Sequence, residues 1–224
     1  MSEIILIVLI ILTMTITYCL YQLLDKRGLY FSLVIMNLVA FVLSFKITYL
    51  FKININIGLV PLIASLSIIY IFITKYGYKE TKNLILISLY SNITAGIMLI
   101  IMNYFLPAIT ETISINMQGT FEYNYKILIA YPIIITLSQY TVIKLYKLIT
   151  SLNSNTSICV MLTYIITGLL YTIVFYILSY IETINISNSL FIGISSYIIG
   201  IPITIINLLL INYITNKKVI KWEI

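Results

Sequence analysis

The chain has 224 residues, of which 61% are hydrophobic and only 9% are charged, and its mean hydropathy is +1.08. Too few polar residues remain to cover a water-facing surface, which excludes a soluble domain as the main architecture. The 13 Lys/Arg against 7 Asp/Glu, +6 in all, sit at the ends of apolar runs, a pattern of membrane topology and not of a nucleic-acid interface.

Several apolar runs reach the ~20 residues that a helix needs to cross the hydrocarbon core. In chain order they fall at 4–24, 29–51, 58–75, 84–106, 127–149, 158–181 and 189–214. The first starts at Ile4 and runs past Cys19 to Leu24 with no basic segment before it and no A-x-A cleavage site, so a retained helix is expected and not a signal peptide. Short polar connections follow: Asp25 to Gly28, Asn54 to Asn56, Lys75 to Asn83, Ser151 to Ser157 and Glu182 to Asn188. The stretch 107–126, with Glu111, Gln118 and Glu122, is the longest and most water-exposed loop. No linker is long enough to divide the chain. Residues 1–224 are read as one polytopic domain, an all-α integral membrane protein with a bundle of about seven transmembrane helices.

Loop charges orient this bundle, because cytoplasmic segments carry the excess of Lys/Arg. With seven spans and the N-terminus outside, the cytoplasmic side holds Lys26, Arg27, Lys75, Lys79, Lys82, Lys144, Lys147, Lys217, Lys218 and Lys221, and the external side only Lys46, Lys52 and Lys126. The C-terminus is then cytoplasmic, with Trp222 as an interfacial anchor, and the expected location is a bacterial inner membrane. Lys46 and Lys144 lie inside apolar runs but near helix ends, where a long side chain snorkels to the headgroups.

Catalytic chemistry has little to work with. Histidine is absent, which removes His-assisted Ser or Cys nucleophiles and the usual zinc ligands. No Walker A loop or dinucleotide-binding glycine pattern is present. The single aspartate, Asp25, is in a connection, so an aspartyl intramembrane protease lacks its pair. An enzyme is not expected, nor is a cofactor, a metal site or a nucleic-acid partner. Cys19 and Cys159 read as small core residues, and the N-x-[ST] matches at Asn92, Asn155 and Asn185 read as chance.

What the spans do contain is neutral polar groups: Asn37, Asn92, Ser138, Gln139, Thr163, Thr167, Ser196, Thr204 and Asn207, with Tyr90, Tyr140, Tyr164, Tyr171 and Tyr197 among them. In lipid these must find partners, so they face other helices or a wet cavity. Hydroxyls can bond back to their own helix. A primary amide has several donors and acceptors to satisfy, so Asn92, Gln139 and Asn207 line a site or join helices. Gly96, Gly168 and Gly200 with Pro202 mark close approaches or kinks.

Four stretches, in order along the chain, carry a family resemblance. These are Tyr21-Gln22-Leu23-Leu24-Asp25-Lys26-Arg27-Gly28-Leu29-Tyr30; Lys75-Tyr76-Gly77-Tyr78-Lys79-Glu80 followed by Asn92; Ser138-Gln139 with Leu145-Tyr146-Lys147-Leu148; and Tyr197, Gly200 and Asn207. Together they resemble the queuosine precursor transporters of the VUT family (YhhQ-like proteins). The resemblance implies uptake of a 7-deazaguanine such as preQ0, preQ1 or queuine. The family's intramembrane charges are missing: Ile69, Tyr70 and Thr74 stand in place of one acidic motif, Val142 and Asn207 in place of aspartates, and Gly200 in place of a lysine. A solute would then be held by hydrogen bonds at Asn92, Gln139, Tyr164, Thr167 and Asn207. Two other readings stay open. The chain could be a substrate-binding subunit of an ATP-driven importer, like the S components of energy-coupling-factor systems. It could also be a non-transporting member that assembles with another membrane protein or with itself.

Overall fold

The computed structural model describes residues 2–103, 125–152, 155–180 and 185–216. Its elements are α1 (Ser2–Leu24), α2 (Lys26–Leu43), the strands β1 (Ile47–Leu50) and β2 (Ile53–Asn56), then α3 (Leu59–Asn103), α4 (Tyr125–Leu152), α5 (Thr156–Tyr180) and α6 (Ile186–Asn216). Among the described residues, six helices are long and apolar enough to cross a membrane. Glu111, Gln118, Glu122, Lys217, Lys218, Lys221 and Trp222 lie outside the described residues.

One residue, Asp25, separates α1 from α2, and its φ of 49° is positive. The reversal is so tight that a Cβ on Gly28 would overlap the Leu20 carbonyl group. Glycine is needed there for space.

The apolar run 29–51 is not one helix. α2 ends at Leu43, where Ser44 donates its hydroxyl to Phe41 O (2.7 Å) and its N–H to Ala40 O (2.9 Å). From Ile47 β-branched and aromatic residues take over, with strict alternation over Ile53-Asn54-Ile55-Asn56, and the chain forms an antiparallel hairpin pairing Thr48 with Ile55 and Leu50 with Ile53. Leu50 and Ile55 point into the core, while Tyr49 and Asn54 face out. Phe51 and Lys52 form the two-residue turn with φ of 50° and 64°, the handedness that matches the strand twist but that bulky residues rarely adopt. Hydropathy alone could not show this break, because Ile, Tyr, Leu and Phe are equally apolar in either geometry. Lys46 accordingly lies in the corner between α2 and β1 and not at a helix end, whereas Lys144 is an exposed residue of α4.

Residues 75–83, read as a connection, are helical except at Gly77 (φ 80°, ψ 176°), which breaks α3 into arms 59–76 and 78–103. Those dihedrals are open essentially to glycine alone. The arms run in opposite directions along α2. A Cβ on Gly58 would lie 2.7 Å from Ala40 O, and Gly96 also abuts Phe41. At the other end of α2, Tyr76 OH donates to Asp25 Oδ1 (2.8 Å), and Lys26 pairs with Glu80 (3.0 Å). The first arm is the centre of the bundle, since every residue from 60 to 73 is buried, as an all-round apolar helix must be. The second arm buries one stripe, Thr81, Leu84, Ile85, Ser88, Asn92 and Gly96, spaced as one helical face.

Proline shapes one of the contacts of that stripe. Pro132 lies inside α4 and cannot donate to the Leu128 carbonyl four residues back. Gly96 packs on that oxygen, where a Cβ would stand 3.1 Å away. α5 begins on Asn155, whose Oδ1 accepts the N–H groups of Ser157 (3.1 Å) and Ile158 (3.4 Å). That capping role explains the residue with no reference to glycosylation.

Candidate functional site

Hydroxyls in the helices are mostly spent on their own backbone. Ser138 donates to Ile135 O, Thr163 to Cys159 O, Thr167 to Thr163 O, Ser196 to Ile192 O and Thr204 to Gly200 O, at 2.6–2.9 Å. The amides behave differently.

Asn37 of α2 is the hub of a fully buried polar cluster between α2, the second arm of α3 and α4. Its Nδ2 donates to Ser88 Oγ. Its Oδ1 accepts from Gln139 Nε2 (3.3 Å), and its main-chain oxygen accepts from Tyr131 OH (3.2 Å). Asn92 lies one turn beyond Ser88 on the same buried stripe and is 0% exposed. Neither Asn92 Nδ2 nor Asn92 Oδ1 has a hydrogen-bond partner among the described residues, and Gln139 Oε1 has none either. Each such buried group costs roughly 1–3 kcal/mol when left unpaired. Two of these unpaired groups belong to Asn92 of α3 and one to Gln139 of α4, on helices that pack against each other.

Tyr164 and Thr167 belong to a second cluster, in which α5 meets the first arm of α3 and α6. Tyr164 stacks on Tyr197 with ring centroids 6.1 Å apart, and a Cβ on Gly200 would overlap its hydroxyl. Tyr70, also buried, packs against Tyr146 (5.7 Å), and its hydroxyl is without a hydrogen-bond partner among the described residues. Asn207 lies on α6, where its Nδ2 donates to Ile203 O (3.0 Å) and its Oδ1 is unpartnered among the described residues. The five residues expected to share one solute site are thus divided. Asn92 and Gln139 flank the Asn37 cluster, Tyr164 and Thr167 the tyrosine cluster, and Asn207 is joined to neither by a hydrogen bond.

A cavity of about 110 Å³ between α4 and α5, open on one side, is lined by Ser138, Thr141, Thr167 and Tyr171 with apolar neighbours. Of the five residues, Thr167 alone lines it. Three residues outside the expected set complete the amide cluster: Asn37, Ser88 and Tyr131. Asn37 carries the same signal as Asn92, an amide inside an apolar run. Ser88 carries none, since a serine in a span reads as a residue bonded to its own helix.

The two stretches Tyr21–Tyr30 and Lys75–Glu80, some fifty positions apart, meet at the opposite end of α2 from the hairpin. Besides the Tyr76–Asp25 and Lys26–Glu80 contacts, Lys75 Nζ donates to Tyr21 OH (2.6 Å) and lies 4.9 Å from the centre of its ring. Lys147 of α4 lies over Tyr78 at 5.7 Å. Five basic or acidic residues separated in sequence are therefore gathered at one end of the bundle. Compared with known proteins, the chain matches no family model, no curated protein and no solved structure.

Proposed function

We propose that the chain is a membrane carrier for a small, uncharged, hydrogen-bonding solute of nucleobase type, a 7-deazaguanine queuosine precursor being the first candidate, in a bacterial inner membrane. The observation that carries this reading is Asn92. A fully buried amide with both polar atoms unused is unfavourable in a packed bundle and becomes useful when a ligand supplies its partners. Asn37, itself bonded to Ser88 and Tyr131, holds a second amide, Gln139, by its Nε2, and Gln139 Oε1 has no partner among the described residues. The carrier moves solute by exposing the amide cluster alternately at the two ends of α2. The test is uptake of labelled 7-deazaguanine or purine by proteoliposomes containing this chain alone. Time-dependent accumulation that excess unlabelled solute suppresses is expected. No uptake alone, with uptake restored by a co-purifying ATPase, would move the chain to the substrate-binding subunits of ATP-driven importers.

The length of α3 supports a proposal of seven crossings. A continuous helix of 45 residues would run about 68 Å, more than twice the hydrocarbon core of about 30 Å. Folded back at Gly77, its first arm spans about 27 Å, enough for one crossing. Charges then set the N-terminus outside and the C-terminus in the cytoplasm. In a variant lacking Cys19 and Cys159, a cysteine at position 52 is expected to react with a membrane-impermeant maleimide in intact cells. One at position 79 is expected to react only after permeabilisation. The reverse pattern would invert the orientation, and equal reaction at both would remove the crossing between them.

A further inference from the structure

At the hairpin end, α1 and the β-strands enclose a cleft of about 220 Å³ that is open on one side. Leu6 and Leu9 of α1 form one wall and Leu50 and Ile57 the other, while Lys46 and Thr48 supply the polar groups. Two features separate this cleft from an ordinary packing defect. Thr48 Oγ1 is buried without a hydrogen-bond partner among the described residues. The helical threonines bond to a carbonyl one turn back, but a strand offers no such carbonyl. Lys46 is exposed and makes no ion pair among the described residues.

We infer that this cleft is a binding site for one anionic phospholipid, with an acyl chain between α1 and the hairpin and the phosphate on Lys46 and Thr48. Charge complementarity decides the occupant: an apolar slot ending in a cation and an unpaired hydroxyl suits an anionic headgroup on a hydrocarbon tail, whereas a purely apolar molecule leaves Lys46 and Thr48 without a partner. The depth agrees, because Lys46 lies in the corner between α2 and the hairpin, which stands at the same end as the start of α1. Bound there, the lipid would join α1 to the hairpin.

The experiment is thermal unfolding of the full chain in mild detergent with added phosphatidylglycerol or chain-matched phosphatidylcholine. Phosphatidylglycerol is expected to raise the midpoint in a saturable way at concentrations where phosphatidylcholine does not. Lys46→Gln should weaken the apparent lipid affinity about fivefold, from the roughly 1 kcal/mol contributed by one basic residue near an anionic lipid. Thr48→Val, which keeps the shape, should weaken it to a lesser extent, and Lys52→Gln at the hairpin tip should leave it unchanged. Both Lys46 and Lys52 are exposed, so neither variant threatens folding. Equal stabilisation by the two lipids, or full response in Lys46→Gln, overturns the site. The same shift with inorganic phosphate or a fatty acid in place of the phospholipid overturns the assignment of its occupant.

Discussion

Asn92→Leu is expected to make the protein more stable and less active at once. Leucine has the same branched outline as asparagine and brings no polar atom, so the substitution removes two buried groups that have no partner. Relief of that desolvation cost should raise stability by about 1–2 kcal/mol, read as a higher unfolding midpoint in detergent. Uptake should fall tenfold or more, since the solute loses a donor and an acceptor together. Gln139→Leu is expected to lower uptake as well, but by a different route. It deletes the Nε2 bond to Asn37 Oδ1 and strands that oxygen while removing the unpartnered Oε1, so the two terms oppose each other and its stability should change less than that of Asn92→Leu. Asn207→Leu, outside the amide cluster, should affect uptake least. If Asn92→Leu is destabilising, its amide serves to hold helices together and the carrier reading loses its support. If it is stabilising and uptake is unchanged, the solute binds elsewhere.

Gly28→Ala should produce the largest loss of stability, about 3 kcal/mol or more. Alanine is the better helix former by about 1 kcal/mol, so propensity alone predicts a gain. Contact reverses the sign, because the new Cβ would overlap a main-chain carbonyl, the Leu20 C=O, which cannot rotate away as a side chain does. Relief requires α1 and α2 to separate around Asp25, and that displaces the Tyr76–Asp25 and Lys26–Glu80 contacts. A lower unfolding midpoint in detergent, with proteolysis between α1 and α2, is the expected readout. Gly96→Ala is a milder control: its Cβ would meet the Leu128 oxygen at 3.1 Å, which a small shift accommodates.

Much of this architecture was legible in the order of apolar runs, because a membrane-spanning helix is recognised by length and lack of charge. α1, α4, α5 and α6 fall within a few residues of the expected spans. Two features were not legible for a physical reason. The stretch 47–51 has the hydropathy of a span but belongs to a β-hairpin. Residues 75–83 have the charge of a loop but remain helical, since one glycine is enough to reverse the chain. The site was legible in kind but not in grouping. Amides inside apolar runs stand out from composition, but whether two of them meet depends on which helices pack together. Gln139 is bonded to a cluster built on Asn37, whose importance lies in its three contacts and not in its type, while Asn92 lies one turn from Ser88 along α3 with no bond to it. Tyr164 and Thr167 went to a different contact because Gly200 leaves room for the tyrosine ring on the α6 side.

The break at Gly77 has an electrostatic consequence. A helix carries roughly half a positive charge at its N-terminus and half a negative charge at its C-terminus. A continuous α3 would have neither pole at its middle, whereas the broken one places both there, within a few residues. Lys75 closes the first arm and Glu80 lies in the first turn of the second, each next to the pole of opposite sign. The sequence therefore stabilises the interruption itself: straightening the helix would leave Lys75 and Glu80 along the flank of a rod, with no pole to neutralise.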